Sequence, residues 1–281
     1  MREINVKEAE ARIYEACARI AHVYAPDILA ALKKGCANEE EERSVTAMRM
    51  LLENAEIAES RQIPICQDTG LVTVYVHAGQ EVHFTGGSLK EAIQNGVRRA
   101  YKDYYLRASV VDDPLFERIN TKDNTPAVIY CDLVEGEDVV IEVTAKGFGS
   151  ENMSALAMLK PAQGIEGVKE FVLDTIRKAG PNACPPIIVG VGIGGTFDYS
   201  AVLAKRALLR SIEERNPDAR YAALEEELIE KANALRIGPM GLHGKTTVLG
   251  IQIETAPTHI AGLPVAVNIC CHACRHERMV L

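Results

Sequence analysis

Three cysteines that are far apart in the sequence lie in segments whose Gly and Pro neighbours predict loops. They are Cys66 in Ile-Pro-Ile-Cys-Gln-Asp-Thr-Gly, Cys184, which two prolines follow, and Cys271, which opens Cys-His-Ala-Cys. If the three thiols act together, the fold has to bring three distant loops to one place. That requirement constrains the fold more than any single predicted helix or strand does.

Three thiolates from separate loops suit a cubane iron–sulfur cluster in which one iron has no protein ligand. Such an iron is a Lewis acid that can hold an oxygen atom of a substrate. An electron-transfer cluster would have four cysteine ligands and would take several of them from one short run. The pattern therefore predicts a 4Fe–4S cluster that takes part in a reaction.

Zinc is the alternative metal for the cysteines near residue 270. Cys271 and Cys274 form a C-x-x-C pair beside His272 and His276, which is half of a zinc site. A structural zinc needs a second pair of ligands about 12–20 residues away. Apart from the adjoining cysteine, only His259 lies nearby upstream. This alternative would make the chain a non-catalytic zinc-binding accessory module.

Length and charge limit the classes of protein that this chain can belong to. Its 281 residues suffice for one large domain or for two lobes. Because no linker is visible, we predict a single domain over 1–281, which two lobes can make up. The net charge of −8 argues against a nucleic-acid or anionic-membrane partner. The longest apolar run, residues 187–195, is too short to span a bilayer. Eight cysteines without a secretory signal predict a reducing cytoplasm.

Hydrophobic periodicity predicts a mixed α/β fold, with a helical N-terminal part followed by interleaved strands and helices that form a cluster-binding domain. Two β-rich runs, 127–134 and 139–145, are separated by four residues and predict a β-hairpin. The other predicted strands are 71–77, 186–191, 246–254 and 264–270. The predicted helices are 6–33, 39–58, 89–106, 166–178, 198–214 and 219–235.

A glycine pattern follows the strand predicted near residue 190. The residues Gly190-Val-Gly-Ile-Gly-Gly195 match the G-x-G-x-x-G motif of dinucleotide-binding folds. A dinucleotide unit would continue into a second strand with an acidic residue about 20 positions on, whereas a second long helix is predicted here. Two interpretations remain open: an anion pocket at a helix N-terminus, or a tight turn that packs the helix against the strand.

Four segments together resemble the class I, iron–sulfur fumarate hydratase family, which includes the two-subunit L-tartrate dehydratases. They are residues 66–70, 146–152, 182–186 and 189–194, and the resemblance extends over nearly the whole chain. It implies the α subunit of a carbon–oxygen hydro-lyase. The activity implied is the tricarboxylic acid cycle reaction, the reversible hydration of fumarate to (S)-malate. The alternative is the α subunit of an L-tartrate dehydratase.

The resemblance also implies which residues hold the cluster and contact the substrate. Its cluster ligands are Cys66, Cys184 and Cys271. Cys271 is preferred because Arg275 stands four places after it, as in the family motif, while Cys270 and Cys274 remain alternatives. The catalytic residues implied are Asp68 and His259, and the residues beside the substrate are Gln67, Arg107, Gly147 and Gly149.

The chemistry of these residue types agrees with a dicarboxylate substrate. An arginine such as Arg107 can bind one carboxylate through two parallel hydrogen bonds. Asp68 is implied to orient His259 or to help protonate the departing hydroxide. The alternative for Asp68 is an Asx turn in Asp-Thr-Gly.

One catalytic group is missing from the matched motifs. A hydro-lyase needs a base that removes a proton from the carbon next to a carboxylate, and none of the matched segments offers one. The resemblance implies that a β subunit supplies this base and completes the active site. The expected assembly is therefore a hetero-oligomer, α2β2.

Overall fold

The computed structural model describes residues 1–281, and the fold is mixed α and β, as predicted. The helices are α1 (Val6–His22), α2 (Pro26–Asn38), α3 (Glu42–Arg61), α4 (Leu89–Asp103), α5 (Phe148–Glu151), α6 (Gly164–Ala179), α7 (Phe197–Ala207) and α8 (Ala219–Ala234). The strands are β1 (Arg2–Asn5), β2 (Leu71–Gly79), β3 (Val82–Thr85), β4 (Val128–Val134), β5 (Val139–Lys146), β6 (Ala155–Leu159), β7 (Ile187–Gly194), β8 (Val248–Ala256), β9 (Leu263–Cys270) and β10 (His276–Val280). None of the helices combines the length and the apolar character that a membrane crossing requires.

The N-terminal part is helical apart from the short strand β1, but the single helix predicted over 6–33 is divided. The helix α1 ends at His22, because the next residue, Val23, has an extended backbone with φ −125° and ψ 129°. The helix α2 then begins at Pro26. Proline is well suited to the first turn of a helix, since the amide hydrogen it lacks would have no partner there.

The chain divides into two compact units, each of which is discontinuous in sequence. Unit 1 consists of Met1–Ala25, Ala55–Phe148 and Arg275–Leu281. Unit 2 consists of Pro26–Asn54 and Gly149–Cys274. Each unit contains one four-stranded sheet, with the strand order β10-β5-β2-β4 in unit 1 and β6-β9-β7-β8 in unit 2.

The core of unit 1 lies on one face of its sheet. Alternate residues of β2 and β5, such as Val74 and Ile141, are fully buried there together with Ile13 of α1 and Ile93 of α4. This period of two follows from the pleat of a strand, which sends successive side chains to opposite faces.

The predicted hairpin of 127–134 and 139–145 is wrong, because β4 and β5 do not pair with each other. The strand β2 lies between them and pairs in parallel with β4, where Thr73 faces Val128. It pairs antiparallel with β5, where Leu71 faces Lys146. The four residues between β4 and β5 therefore cross the end of a strand that comes from elsewhere in the sequence, and the local turn pattern does not reveal it.

The strand β7 is one of the two inner strands of the unit 2 sheet, and its eight residues are all buried. It runs parallel to β8 and antiparallel to β9. A Cβ atom at Gly190 would lie 2.0 Å from the carbonyl oxygen of Ala204 in α7, and one at Gly192 would lie 2.0 Å from that of Ser200. Both glycines permit close helix packing, so the packing part of that interpretation is confirmed for these two positions. They lie within the strand β7 and not in a tight turn.

Replacement of Gly190 by alanine is expected to lower the free energy of unfolding by about 3 kcal/mol, because α7 would have to move away from the sheet. Denaturant titration of the folded protein measures this loss. The matched control is Gly149→Ala, since no atom lies within 4 Å of the Cβ position there. Equal stability of the two variants would contradict the packing role of Gly190.

Candidate active site

The loop that carries Cys66 connects α3 to β2 in unit 1, and Asp68 fixes its conformation. One carboxylate oxygen of Asp68 accepts a hydrogen bond from the backbone N–H of Gly70 at 3.0 Å. The other accepts from the backbone N–H of Phe148 at 2.9 Å. The first bond is the Asx turn that the sequence offered as the alternative for Asp68, and the second ties the cysteine loop to residue 148.

Two buried side chains hold the end of the same loop. The hydroxyl oxygen of Tyr101 lies 2.9 Å from the carbonyl oxygens of both Thr69 and Gly70, to which it donates. Burial raises the pKa of Tyr101, so the phenol keeps the proton that it donates. The side-chain amide of Asn124 donates to the Gly70 carbonyl at 3.0 Å. The backbone of the loop is thus held by donors from two other segments.

Arg275 is a further residue of this site, and it is buried with 3% of its surface exposed. Its guanidinium donates to the backbone carbonyl of Asp68 at 2.8 Å and to that of Ala145 at 3.0 Å. A Cβ atom at Gly147 would lie 3.1 Å from the Asp68 carboxylate and 3.6 Å from Nη2 of Arg275. Asp68, Arg275 and Gly147 are therefore in direct proximity, with little space for a side chain at Gly147.

Sequence reasoning used Arg275 only to choose among neighbouring cysteines and missed its contacts. The signal in the sequence was an arginine at a fixed distance from a predicted ligand. Its two carbonyl partners lie well over 100 residues earlier in the chain, so spacing alone could not show them.

Gln67 and Arg107 expose their side chains in unit 1. The backbone carbonyl of Arg107 accepts a hydrogen bond from the hydroxyl of Thr69 at 3.2 Å, which places residue 107 beside the cysteine loop. The structure thus brings Gln67, Asp68, Arg107 and Gly147 together with Cys66 in one unit. An exposed guanidinium at this edge is available to a carboxylate ligand.

In unit 2, Cys184 and Cys271 lie at the same end of the sheet. Cys184 comes three residues before β7, and Cys271 directly follows β9. The strands β7 and β9 are antiparallel, with Ile188 facing Cys270, so the start of one lies beside the end of the other. Cys184 is exposed and has a left-handed backbone conformation with φ +51°. Such a conformation costs a residue with a side chain about 1–2 kcal/mol and is frequent at functional sites.

Accessibility distinguishes the three cysteines near residue 270, none of which forms a disulfide. Cys270 is the last residue of β9 and is buried. Cys274 is also buried, and its Sγ lies 3.7 Å from the carbonyl oxygen of Leu208. Cys271 is partly exposed. Of the three, Cys271 is therefore the cysteine that an external group can reach.

The segment that follows Gly149 is fastened to the end of β9 by a polar network. The carboxylate of Glu151 accepts from Lys205 at 2.5 Å and from the side-chain amide of Asn268 at 2.8 Å. The hydroxyl of Ser154 accepts from the same amide at 2.9 Å and from the backbone N–H of Ile269 at 3.0 Å. The network bonds Asn268 and Ile269, which lie three and two residues before Cys271. Sequence reasoning assigned it no role, although Glu151 belongs to the matched segment 146–152.

His259 lies at the opposite end of the unit 2 sheet. It belongs to the exposed connection between β8 and β9, and its Nδ1 accepts a hydrogen bond from the backbone N–H of Ala261 at 3.2 Å. The eight residues of β9 separate this end from Cys271. At ~3.3 Å per residue, the strand from Leu263 to Cys270 is about 23 Å long. The structure does not bring His259 together with the cysteines of unit 2, and its catalytic role stays a prediction.

The zinc alternative requires a group of ligands around Cys271 and Cys274. No group of three or more His, Cys, Asp or Glu side chains in the structure is arranged to hold a metal ion. The same holds for the three cysteines of the predicted cluster, so this finding does not separate zinc from an iron–sulfur cluster.

Replacement of Asp68 by asparagine is expected to lower the free energy of unfolding by about 1–3 kcal/mol, because the new side chain has one acceptor oxygen for two backbone donors. Thermal and denaturant unfolding measure the loss. Asp138→Asn is the matched control, since the side chain of Asp138 is 81% exposed and 3.8 Å from its only ion-pair partner, Arg2. Unchanged stability of Asp68→Asn would contradict the positioning role of Asp68.

The sequence of this chain is similar to those of known proteins of one family. The model of the family described as fumarate hydratase (Fumerase) matches residues 10–280. A protein of Methanocaldococcus jannaschii provisionally named L(+)-tartrate dehydratase subunit alpha is 46% identical over 263 residues, which cover 92% of each chain. The L(+)-tartrate dehydratase subunit alpha of Escherichia coli K12 is 35% identical over 235 residues, or 82% of this chain and 77% of the relative. That of Escherichia coli UTI89 is 37% identical over 235 residues, or 82% and 76%.

Proposed function

Because the chain belongs to the fumarate hydratase (Fumerase) family, we propose that it is the α subunit of an iron–sulfur hydro-lyase that acts on a four-carbon dicarboxylic acid. The observation that carries this proposal is the junction of the Cys66 loop with Gly147, which Asp68 and Arg275 hold together. The exposed Arg107 beside that junction adds a cation that suits a carboxylate.

The names of the relatives favour L(+)-tartrate as the substrate. The three relatives described above are all named as alpha subunits of L(+)-tartrate dehydratase. Fumarate is the second candidate, because the family model is described as fumarate hydratase. The segment 146–152 also resembles the fumarate hydratase form of that loop more closely. Both acids carry two carboxylates, so the same cations can bind either one.

The cysteines fit a 4Fe–4S cluster by their chemistry. Cys66, Cys184 and Cys271 would be its ligands, since each lies in a loop, is at least partly exposed and forms no disulfide. When bound, a cluster with one iron free of protein ligands supplies a Lewis acid for a hydroxyl or carboxylate oxygen.

The residues of this chain would bind and orient the substrate. Arg107 would bind one carboxylate through its planar guanidinium, and the exposed amide of Gln67 would hydrogen-bond the same molecule. Gly147, and Gly149 further along, would let the backbone approach the substrate closely. Asp68 would act as a positioning residue, because both of its oxygens already accept backbone hydrogen bonds.

The proposal includes a β subunit that supplies the base and further cations, in an α2β2 complex. None of the residues that the structure gathers around Cys66 is free to remove a proton from carbon, since the carboxylate of Asp68 is occupied. Eight cysteines without a disulfide suit a reducing compartment, so we place the enzyme in the cytoplasm.

Turnover by the cluster-loaded complex of this chain with its β subunit tests the proposal. L(+)-tartrate and fumarate are supplied separately under anaerobic conditions, and the products are quantified by chromatography. We expect dehydration of L(+)-tartrate to exceed hydration of fumarate, and the reverse order would favour the second candidate. Failure of the loaded complex to convert either acid would overturn the proposed function.

A further inference from the structure

Residues 110–121 of unit 1 form a short segment whose two halves run antiparallel, and we call this segment the arm. Its tip is apolar and exposed. Val111 and Asn120 form an isolated antiparallel bridge, and the backbone N–H of Asp112 donates to the carbonyl of Ile119 at 3.0 Å. At the tip, Leu115 is 71% exposed and Phe116 is 80% exposed. Ile119, at 58%, extends this apolar surface along the arm. Adjacent exposed side chains of this size are typical of a surface that another protein covers.

The tip is held in one conformation by a carboxylate. One oxygen of Asp113 accepts from the backbone N–H of Leu115 at 3.2 Å. The other accepts from the N–H groups of Phe116 at 2.6 Å and Glu117 at 2.8 Å. These backbone donors, that of Leu115 foremost, lower the pKa of Asp113. A tip that is already ordered loses little conformational entropy when it docks, which favours binding.

The base of the arm is bonded to the candidate active site. Asn124 links the two, since its oxygen accepts from the backbone N–H of Ser109 at 2.8 Å and its amide donates to Gly70 of the cysteine loop at 3.0 Å. The side chain of Asn120 donates to the carbonyl of Ala108, the residue after Arg107. A protein that covers Arg107 and the cysteine loop is therefore positioned to contact the arm.

From this geometry we infer that the arm is a docking element for the β subunit, and that Leu115 and Phe116 insert into an apolar pocket of that subunit bordered by basic residues. The inference rests on the proposed function, which needs a second polypeptide at this edge. Charge also favours that partner. The arm contains Asp112, Asp113 and Glu117 against one cation, Arg118, within a chain of net charge −8. A subunit that brings cations to a dicarboxylate substrate would complement this acidic rim.

The binding constant between this chain and its β subunit tests the inference, measured by isothermal titration calorimetry without substrate. The double variant Leu115→Ser/Phe116→Ser is expected to bind the β subunit at least about 10-fold more weakly, as loss of central apolar anchors does at other interfaces. The matched control is Leu133→Ser, because Leu133 is equally apolar, 80% exposed and outside the arm. It should bind like the unmodified chain.

Two further measurements make the result unambiguous. Circular dichroism and iron content should match the unmodified chain in all variants, and Phe116→Ala alone replaces the double variant if the latter does not fold. Unchanged affinity of the arm variants would overturn the inference. Sedimentation tests whether the arm instead binds a second copy of this chain. If the arm variants dissociated such a self-associated form and bound the β subunit as before, the inference would also be overturned. Because calorimetry needs no turnover, a complex that converts neither acid would overturn the proposed function and leave this inference standing.

Discussion

Replacement of Cys66, Cys184 or Cys271 by serine, each singly, is expected to abolish both the visible absorbance of the iron–sulfur cluster and the turnover of the complex. A serine hydroxyl is a poor substitute for a thiolate as an iron ligand, and three ligands leave no reserve. Iron and sulfide analysis after anaerobic reconstitution measures the first loss. Product formation under the same conditions measures the second.

Other cysteines of the chain provide the controls for this experiment. Cys131 is exposed on β4, and its replacement by serine should leave the cluster and the activity in place. Cys17 is buried, and burial raises its pKa to about 12, so it stays a neutral thiol and an unsuitable ligand. The decisive comparison is between two neighbours. If Cys271→Ser retained the cluster and Cys274→Ser lost it, the ligand proposed here would be the wrong one.

Replacement of Arg107 by alanine in the complex is expected to lower kcat/KM by roughly 30- to 1000-fold, which corresponds to about 2–4 kcal/mol for the loss of a charge-assisted bond to a carboxylate. The cluster absorbance should stay the same, because Arg107 is exposed and the group that bonds the cysteine loop is its backbone carbonyl, which the substitution keeps. Steady-state kinetics with the preferred acid measures the change.

Two further arginine variants refine the result. Arg107→Lys keeps the charge but loses the planar pair of donors. Its kcat/KM should therefore lie between that of the unmodified complex and that of Arg107→Ala. Arg12→Ala removes an arginine that is 51% exposed on α1 and should have no effect on turnover. Full activity of Arg107→Ala would remove this residue from the proposed substrate site.

The elements that could be predicted from the sequence are those whose pattern is local. Periodicity located the main helices, such as α8 at Ala219–Ala234, and the buried strands β7 and β9. It did not find β10, because His276–Val280 is short and mostly polar and becomes a strand only beside β5. The prediction of a hairpin was wrong for a related reason. The strand β2, which separates β4 from β5, lies about 50 residues before β4 in the sequence.

In the candidate site, too, the sequence indicates the local contacts and not the contacts between distant parts of the chain. The motif around Cys66 offered the Asx turn as the alternative for Asp68, and the structure contains that turn, which involves residues only two positions apart. The contacts of Arg275 with Asp68 and Ala145 join distant parts of the chain, so only the fold shows them. His259 is the opposite case. Only the family resemblance implied a catalytic role for His259, and the strand β9 lies between it and Cys271 in the chain, so that role stays a prediction.

The interleaving of the two units bears on when this protein can be assembled during synthesis. The cysteine loop of unit 1 depends on Arg275 for a hydrogen bond to the backbone of Asp68. Arg275 and β10 come after every residue of unit 2 in the chain. A ribosome therefore finishes unit 2 before unit 1 can close its sheet, although folding in general proceeds from the N-terminus. The loop around Cys66 therefore acquires its final form only after Arg275 has been synthesised, and in the proposed holoenzyme iron and sulfide would reach that thiol in its final setting only after this point.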